Sequence, residues 1–323
     1  MQRLLVTGAG GYIGSALARE AITRQYSVRA LVRRPGALAV GDDVRVCDLF
    51  HHLNLLEHCE DIDCVVHLAG RAHAVDVQGT SIDRKMHAMS LDATQRLAEA
   101  AVAAGVGRFV FVSSIGVHGS RAEKVPFDES SPENPHSAYS ESKLAAERFL
   151  RKRLYSTATE LVVVRPPLVY SAHAPGNFAR LIRLVASGLP LPLAGVRNRR
   201  SLVALENLVD FLVTCAVHPR AAGQSFVIAD GDDQSTEGIV RALAHGMSKP
   251  ARLFGVSPVI AKRLLGVLGR NSVFESLWHS LIVDASKARE ILGWLPVRRA
   301  EDALVTAGSE YAEMSRKRTR DGV

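Results

Sequence analysis

Residues 3–14 read RLLVTGAGGYIG, an apolar run that passes directly into a loop rich in glycine. The run predicts a short buried strand, and apolar residues then recur at helical spacing over residues 12–24. In the loop, the spacing Gly-x-x-Gly-x-x-Gly permits a tight turn, close approach of the backbone to a pyrophosphate and close helix packing. The helix N-terminus adds amide donors and the positive end of its dipole. The stretch therefore predicts a dinucleotide site formed by Gly8, Gly11, Tyr12, Ile13 and Gly14.

The alternation of strand and helix continues beyond this stretch. Apolar strands are predicted at 2–7, 27–32, 44–46, 63–68, 108–113 and 161–165, with helices at about 83–104 and 137–154. Strands that are apolar on both sides indicate a parallel sheet covered by helices on both faces. Right-handed crossovers then produce a doubly wound sheet. We therefore predict an α/β fold with a Rossmann-type domain over residues 1–169.

The regular alternation of predicted strands and helices ends after residue 169. Residues 171–200 are rich in Gly, Pro and Ala around one helical segment at 178–188. Further elements are predicted as strands at 201–205 and 225–229 and as helices at 207–217, at 257–268 and after Asp284. We expect residues 170–323 to form a smaller substrate-binding lobe, with the strand at 225–229 returning to the first domain.

Composition excludes several classes of protein. The 323 residues are 47% hydrophobic and 23% charged, as in ordinary globular proteins. No apolar run reaches the roughly 18–20 residues that span a bilayer, and the apolar opening is too short for a secretory signal. The four cysteines form no Cys-x-x-Cys pair and no metal-ligand spacing, so we expect reduced thiols, no metal site and a cytoplasmic location.

The net charge of +7 comes largely from clusters of arginine and lysine. Most clusters are interpreted as solvated surface, with a frayed basic tail at Arg316 to Arg320. Nucleic-acid binding would rest on charge alone, since aromatic residues are only 6% of the chain, and it is not expected. Anionic small molecules are the better match for two of the clusters.

The end of the second predicted strand bears on cofactor choice. It reads Leu31-Val32-Arg33-Arg34, without the carboxylate that receives the ribose hydroxyls of NAD(H). Since guanidinium binds phosphate in bidentate fashion, Arg33 and Arg34 favour NADP(H), with NAD(H) possible. Asp48 after the third strand is placed to accept from adenine, and Leu68, Ala69 and Gly70 let a cofactor lie across the fourth. His67 is interpreted as a packed strand residue.

A second constellation suits proton transfer. Tyr139 and Lys143 are four residues apart, one above the other on a predicted helix, and Ser114 ends the preceding strand. A free tyrosine is a poor base at neutral pH, and a lysine ammonium about 4 Å away would favour its phenolate. Ser114 would orient a substrate oxygen, and Lys143 would also hold the nicotinamide ribose.

Together these motifs resemble the extended short-chain dehydrogenase/reductase family. They comprise the Thr7 to Gly14 loop, Asp48-Leu49, His67 to Gly70, Ser113-Ser114, Tyr139-x-x-x-Lys143, Arg165 to Tyr170 and Asp284 to Lys287. The resemblance adds Leu49 and Pro166 to the cofactor residues. It also implies a nucleotide-sugar-binding lobe and a homodimer through the helices at about 83–104 and 137–154.

Within that family the chain resembles UDP-sugar 4-epimerases and, more closely, 4-ketoreductases that make UDP-N-acetylquinovosamine-type sugars. The resemblance implies a UDP-sugar substrate whose diphosphate is held by Asn177 and Arg200, with Leu191 beside the uracil. We therefore expect NAD(P)H-dependent reduction of a 4-keto nucleotide sugar of the UDP-2-acetamido-2,6-dideoxy-4-ketohexose type, for surface polysaccharide synthesis. The alternatives are an NAD-dependent UDP-sugar 4-epimerase and, less favoured, a non-catalytic redox sensor.

Overall fold

The structure is a computed structural model that describes residues 2–34, 40–52, 54–70, 81–267, 269 and 271–320. Its centre is a parallel sheet of seven strands in the order β11-β7-β5-β4-β1-β2-β3. These strands are β1 Arg3–Thr7, β2 Ser27–Val32, β3 Asp43–Val46, β4 Cys64–His67, β5 Arg108–Val112, β7 Glu160–Arg165 and β11 Ser225–Val227. The order reverses beside β1, which places a crevice at the carboxyl ends of β1 and β4.

Helices cover both faces of the sheet. Alternate strand residues such as Leu4 and Val6 pack with α1 and α6, while Leu5 and Val65 pack with the helices of the opposite face. The helices are α1 Tyr12–Thr23 and α6 Leu205–Val217 on the first face, and α2 Leu56–Cys59, α3 Ser81–Ala103 and α4 Ala138–Leu154 on the second. The sheet residues are therefore buried from both sides, as the doubly wound fold requires.

The remaining elements build a second packed unit around its own apolar core, which includes Phe178, Leu191, Leu243 and Leu304. Its helices are α5 Gly176–Ser187, α7 Thr236–Gly246, α8 Pro258–Val267, α9 Asn271–Trp278 and α11 Ala300–Arg320, whereas α10 Ser286–Leu292 packs against the sheet core beside β11. Three parallel two-stranded sheets pair β8 Leu168–Tyr170 with β10 Leu202–Ala204, β9 Leu191–Ala194 with β12 Leu253–Gly255, and β6 Ala122–Phe127 with β13 Leu281–Val283. Short 3-10 helices lie at Ile115–Val117 and Pro219–Ala221.

One expectation about the termini is wrong. The basic cluster at Arg316 to Arg320 belongs to the last turns of the 21-residue helix α11 and is not a frayed tail. Glycines explain why: a Cβ on Gly308 would overlap the Leu243 carbonyl, and one on Gly246 would overlap the Val305 carbonyl. Because these two glycines have no Cβ atom, α11 and α7 approach closely, and this contact holds α11 against α7. Among the described residues, no helix is long and apolar enough to cross a membrane.

Candidate functional site

The glycine loop joins β1 to α1 at the crevice. Gly8 has a positive φ of 69°, and its carbonyl oxygen accepts from the Gly11 amide at 2.9 Å. A Cβ on Gly14 would overlap that same carbonyl, so only glycine fits the turn. Within the described part of the chain, no side chain caps α1 at Gly11. The first amides of α1 are thus left to a ligand, and this cradle fits the pyrophosphate of a dinucleotide.

Tyr12 and Ile13 open α1 at the boundary between the two units. The Tyr12 hydroxyl donates to Ser171 Oγ at 2.9 Å, and its ring packs on the core of the second unit. Burial raises the pKa of Tyr12, so its hydroxyl stays protonated at neutral pH. Ile13 packs against the sheet core instead. Tyr12 therefore ties the glycine loop to the second unit.

The adenosine end of the predicted site lies beyond β2 and β3. Arg33 and Arg34 are exposed directly after β2, and Arg33 is close enough to Asp48 to act on its charge. Burial opposes ionisation of Asp48, but hydrogen bonds from the Phe50 amide and His51 outweigh it and lower its pKa. Leu49 beside it is buried in the core. This edge thus carries two exposed cations and one ionised carboxylate.

Leu68, Ala69 and Gly70 leave β4 at the bottom of the crevice. Both the Leu68 and the Ala69 amides donate to Thr7 Oγ1 at 3.2 Å. His67 is buried in β4, where its ring nitrogens bond Thr7 at 2.7 Å and Thr94 at 2.9 Å. Burial lowers the pKa of His67 to about 3, so the ring is neutral. The interpretation of His67 as a packed strand residue is confirmed, and its role is to shape this turn.

Ser114 and Pro166 follow β5 and β7 at the same edge of the sheet. The Pro166 carbonyl accepts from the Ile115 amide at 3.0 Å, which joins the two strand ends. The Ser114 side chain accepts from the Gly116 amide at 3.1 Å and so caps the 3-10 helix that follows. Pro166 is buried, whereas Ser114 is partly exposed. The serine hydroxyl is thereby held at the carboxyl edge of the sheet.

A capping box sets the start of α4 and with it the positions of Tyr139 and Lys143. Ser137 accepts from the Ser140 amide at 3.2 Å, and Ser140 Oγ accepts from the Ser137 amide at 3.0 Å. Tyr139 is then the second residue of the helix, and Lys143 lies one turn further on. The Lys143 ammonium reaches β5, where it donates to the Val112 carbonyl at 2.8 Å.

The electrostatics of this pair differ from the expectation. Lys143 Nζ lies 6.0 Å from the centre of the Tyr139 ring and 4.7 Å from that of Phe111. Burial raises the pKa of Tyr139 to about 12 and lowers the pKa of Lys143 to about 8. Desolvation therefore outweighs the attraction that was expected to favour the phenolate. In this arrangement Tyr139 is a protonated phenol at neutral pH, so it carries the proton that a reduction step would use.

A cavity next to Tyr139 and Lys143 adds residues that the motifs did not identify. Its lining includes Ala69, Gly70, Thr94 and Ser142, together with His87, Ser90 and Leu91 of α3. The His87 ring lies 5.9 Å from the Tyr139 ring. A Cβ on Gly70 would lie 3.4 Å from Lys143 Nζ, in ordinary van der Waals contact, so Gly70 borders the ammonium at this cavity. His87, Leu91 and Thr94 recur at helical spacing, and this spacing is a sequence signal by which this face of α3 could have been found.

The predicted substrate residues lie in the second unit. Asn177 is exposed in the first turn of α5, and Leu191 is buried in the core as the first residue of β9. Arg200 is partly buried, and its Nη1 donates to the His279 carbonyl at 3.2 Å. Among the described residues no carboxylate pairs with Arg200, and burial lowers its pKa. A guanidinium in this state retains donors for an anion.

Comparisons with known proteins agree with this geometry. Residues 4–229 match the model of the NAD dependent epimerase/dehydratase family. A UDP-glucose 4-epimerase of Vibrio cholerae is 33% identical over 318 residues, which is 97% of each chain. A 4-hydroxy-2-methyl-3-oxo-4-farnesyl-3,4-dihydroquinoline-1-oxide ketoreductase of Stigmatella aurantiaca is 27% identical and covers 88% of this chain and 83% of its own.

A solved structure, MoeE5 in complex with UDP-glucose and NAD, superposes with a TM-score of 0.75 at 26% identity and covers 97% of this chain and 99% of its own. The doubly wound sheet, the glycine cradle and the matches along the length of the chain agree. The chain therefore belongs to the NAD-dependent epimerase/dehydratase family of extended short-chain dehydrogenase/reductases, and it is an NAD(P)-dependent oxidoreductase or epimerase.

Proposed function

We propose that the protein interconverts the carbinol and the ketone at C4 of a UDP-sugar, acting as a UDP-sugar 4-epimerase. The observation that carries the proposal is the cavity that Tyr139 and Lys143 line together with Ala69 and Gly70, in a chain that is 33% identical to a UDP-glucose 4-epimerase over 97% of its length. We now favour the epimerase over the 4-ketoreductase that the sequence analysis favoured, because the relative that is 33% identical over its full length is a UDP-glucose 4-epimerase.

In this proposal the nicotinamide cofactor supplies hydride acceptance and return when it is bound. Tyr139 holds the proton at its hydroxyl and passes it to or from the C4 oxygen, and Ser114 Oγ orients that oxygen. Lys143 donates to the cofactor ribose and adds positive charge beside the phenol. With positive charge from Lys143 and from a bound oxidised cofactor nearby, the Tyr139 phenol would have a pKa below its raised value and could accept the C4 hydroxyl proton in the oxidation half-reaction.

The nucleotide part of the substrate would lie against the second unit. Arg200 has guanidinium donors without a carboxylate partner among the described residues, so it suits the diphosphate. Asn177 at the exposed start of α5 would provide a further donor, and the segment beginning at Leu191 would flank the uracil. Binding the UDP part at a distance from Tyr139 leaves the sugar free to present either face of C4.

A second candidate is NADPH-dependent reduction of a UDP-2-acetamido-2,6-dideoxy-4-ketohexose for surface polysaccharide synthesis. The observation that favours it is the exposed pair Arg33 and Arg34 after β2, since the sequence has no carboxylate from there until Asp42 to receive the ribose hydroxyls of NAD. A reductase consumes its cofactor and draws on the NADPH pool. Arg33 would then bind the 2′-phosphate.

One set of assays separates the two candidates. For the epimerase we expect purified protein to interconvert UDP-glucose and UDP-galactose, or their 2-acetamido forms, with no net change in nicotinamide absorbance. For the reductase we expect stoichiometric loss of NADPH with the 4-keto-6-deoxy substrate and no interconversion. Absence of both activities, in protein that binds a dinucleotide, would refute the proposal and favour a non-catalytic role.

Replacement of Tyr139 by Phe tests the catalytic assignment. Since a positioned acid or base contributes roughly 10²–10⁴-fold, we expect turnover to fall by about that factor while dinucleotide affinity is retained. Tyr155→Phe is the matched control, because it removes the same hydroxyl from an exposed tyrosine directly after the same helix. Unchanged turnover in Tyr139→Phe would contradict the assigned role.

The arrangement of the chain in the cell is part of the same proposal. We propose a homodimer through α3 and α4 and a cytoplasmic location. We also propose that residues 1–169, with β11 added, form the first unit and that the rest of residues 170–323 form the second. Sedimentation of the purified protein checks the dimer. A monomer at micromolar concentration would contradict it.

A further inference from the structure

Cys47, His52 and His58 come together beneath the turn that follows β3. Their ligand atoms all lie within 4.8 Å of one another. Cys47 is the first residue after β3, His52 follows on the exposed turn, and His58 is in α2. The spacing of the cysteines alone predicts no metal site. The pattern Cys-x4-His-x5-His is visible only when histidines are included.

The state of His58 points to a ligand. The residue is 5% exposed, yet neither Nδ1 nor Nε2 has a hydrogen-bond partner among the described residues. A buried imidazole without partners is costly, and buried polar groups are nearly always satisfied. A metal ion bonded to one ring nitrogen would remove this deficit.

We propose that Cys47, His52 and His58 bind a divalent transition-metal ion, with Zn²⁺ as the chemical match. One thiolate and two imidazoles form a borderline-soft set of the kind that zinc favours. In a tetrahedral zinc site the donor atoms lie about 3.5 Å apart, given metal–ligand distances of about 2.0–2.3 Å. The largest separation among the three ligand atoms therefore has to shorten by up to about 1.3 Å when the ion binds, and His52 is the exposed member of the set.

Neighbouring charges are compatible with a cation. Glu57 Oε1 lies 3.6 Å from His58 Nε2, where it serves as a fourth ligand or as the carboxylate that orients the imidazole. The nearby cations Arg29 and Arg45 are both paired with Asp43, at 2.7 and 3.1 Å. Their remaining donors bond backbone carbonyls of Glu57, His58 and Glu60, which fixes α2.

The backbone around the turn is also held. The Asp48 carbonyl accepts from the His51 and His52 amides at 3.0 and 2.8 Å, and the Cys47 amide donates to Val32 at 2.8 Å. The proposed ion would therefore bind between structured segments, and it would link β3 to α2 below the turn that carries Asp48. This site is independent of the reaction proposed above.

The test uses the full chain, treated with chelator and kept reduced, and titrated with Zn²⁺ and with Co²⁺. We expect one Zn²⁺ per chain by calorimetry and a thiolate-to-cobalt charge-transfer band in the ultraviolet. His52→Asn should weaken Zn²⁺ binding by about tenfold or more, because loss of even an outer-shell partner costs 10–100-fold. His51→Asn, at the adjacent exposed position, is the matched control and should bind as the original chain does.

Cys47→Ser should abolish the charge-transfer band. His52 is exposed, so its variant keeps the fold even if the buried Cys47 position does not tolerate change. Failure of the original chain to bind one Zn²⁺, equal affinity in His52→Asn, or a band that persists in Cys47→Ser would each overturn the proposal.

Discussion

Arg165, which packs against α4, and Lys143, which belongs to α4, are both buried cations, but their surroundings differ. Arg165 donates to Glu147 from Nε at 3.1 Å and from Nη2 at 2.6 Å, and its Nη1 contacts His118 Nε2 at 2.8 Å. Lys143 has one backbone carbonyl, that of Val112, among the residues the structure describes. The first cation is satisfied by a network that holds β7 to α4. The second retains donors beside a cavity, as a residue that binds a ligand must.

The largest loss of stability is expected when the hydrogen-bond network of Arg165 and Glu147 is broken. Glu147→Leu leaves the Arg165 guanidinium buried without its carboxylate, so we expect a loss of about 3–5 kcal/mol in the free energy of unfolding. Chemical denaturation measures it. Glu133→Leu is the matched control, since Glu133 pairs with the exposed Arg148, and its loss should cost less than about 1 kcal/mol.

The double variant Glu147→Leu with Arg165→Met sharpens this result. In the double variant no charge is buried without its partner, so most of the stability lost in Glu147→Leu should return. If the double variant is as unstable as Glu147→Leu alone, Glu147 acts through packing and not through its charge.

At Lys143, removal of the buried charge is expected to raise the free energy of unfolding. Its pKa of about 8 lies below the ordinary value of 10.5 because of burial, so the folded state loses stability as pH falls from 10.5 to 8. Lys143→Met should therefore be more stable than the original chain by up to about 3 kcal/mol below pH 8. This gain should shrink between pH 8 and 10.5, and turnover should fall at every pH. Thermal unfolding across pH measures it, and a pH-independent difference would contradict it.

The smallest effect is expected in the second unit. Arg200→Met should weaken UDP binding by about ten- to a hundredfold, since a hydrogen bond to a charged group contributes about 1.5–3 kcal/mol. Stability should not fall, because no described carboxylate is left without its partner. Arg199→Met is the control, as Arg199 is exposed and pairs with Asp233. Equal UDP affinity in the two variants would remove Arg200 from the proposed substrate site.

Much of the sheet could be predicted because its signals are local. Strands β1, β2 and β7 begin and end within one residue of their predicted positions, since their apolar residues must be buried from both faces. The second unit was harder. Its short pairs, such as β9 with β12, have no periodicity of their own, and the predicted strand at 201–205 joins β8 in a separate sheet.

The sequence by itself determined the glycine cradle, the strand ends and the helical spacing of Tyr139 and Lys143. These features depend on residues a few positions apart, so local steric rules are sufficient. The tertiary structure alone decided which charges are satisfied. Glu147 meets Arg165, Lys143 reaches Val112, and Cys47 meets His58 because distant elements pack together. Burial then sets the pKa of Tyr139 and Lys143, since desolvation depends on neighbours that no local pattern specifies.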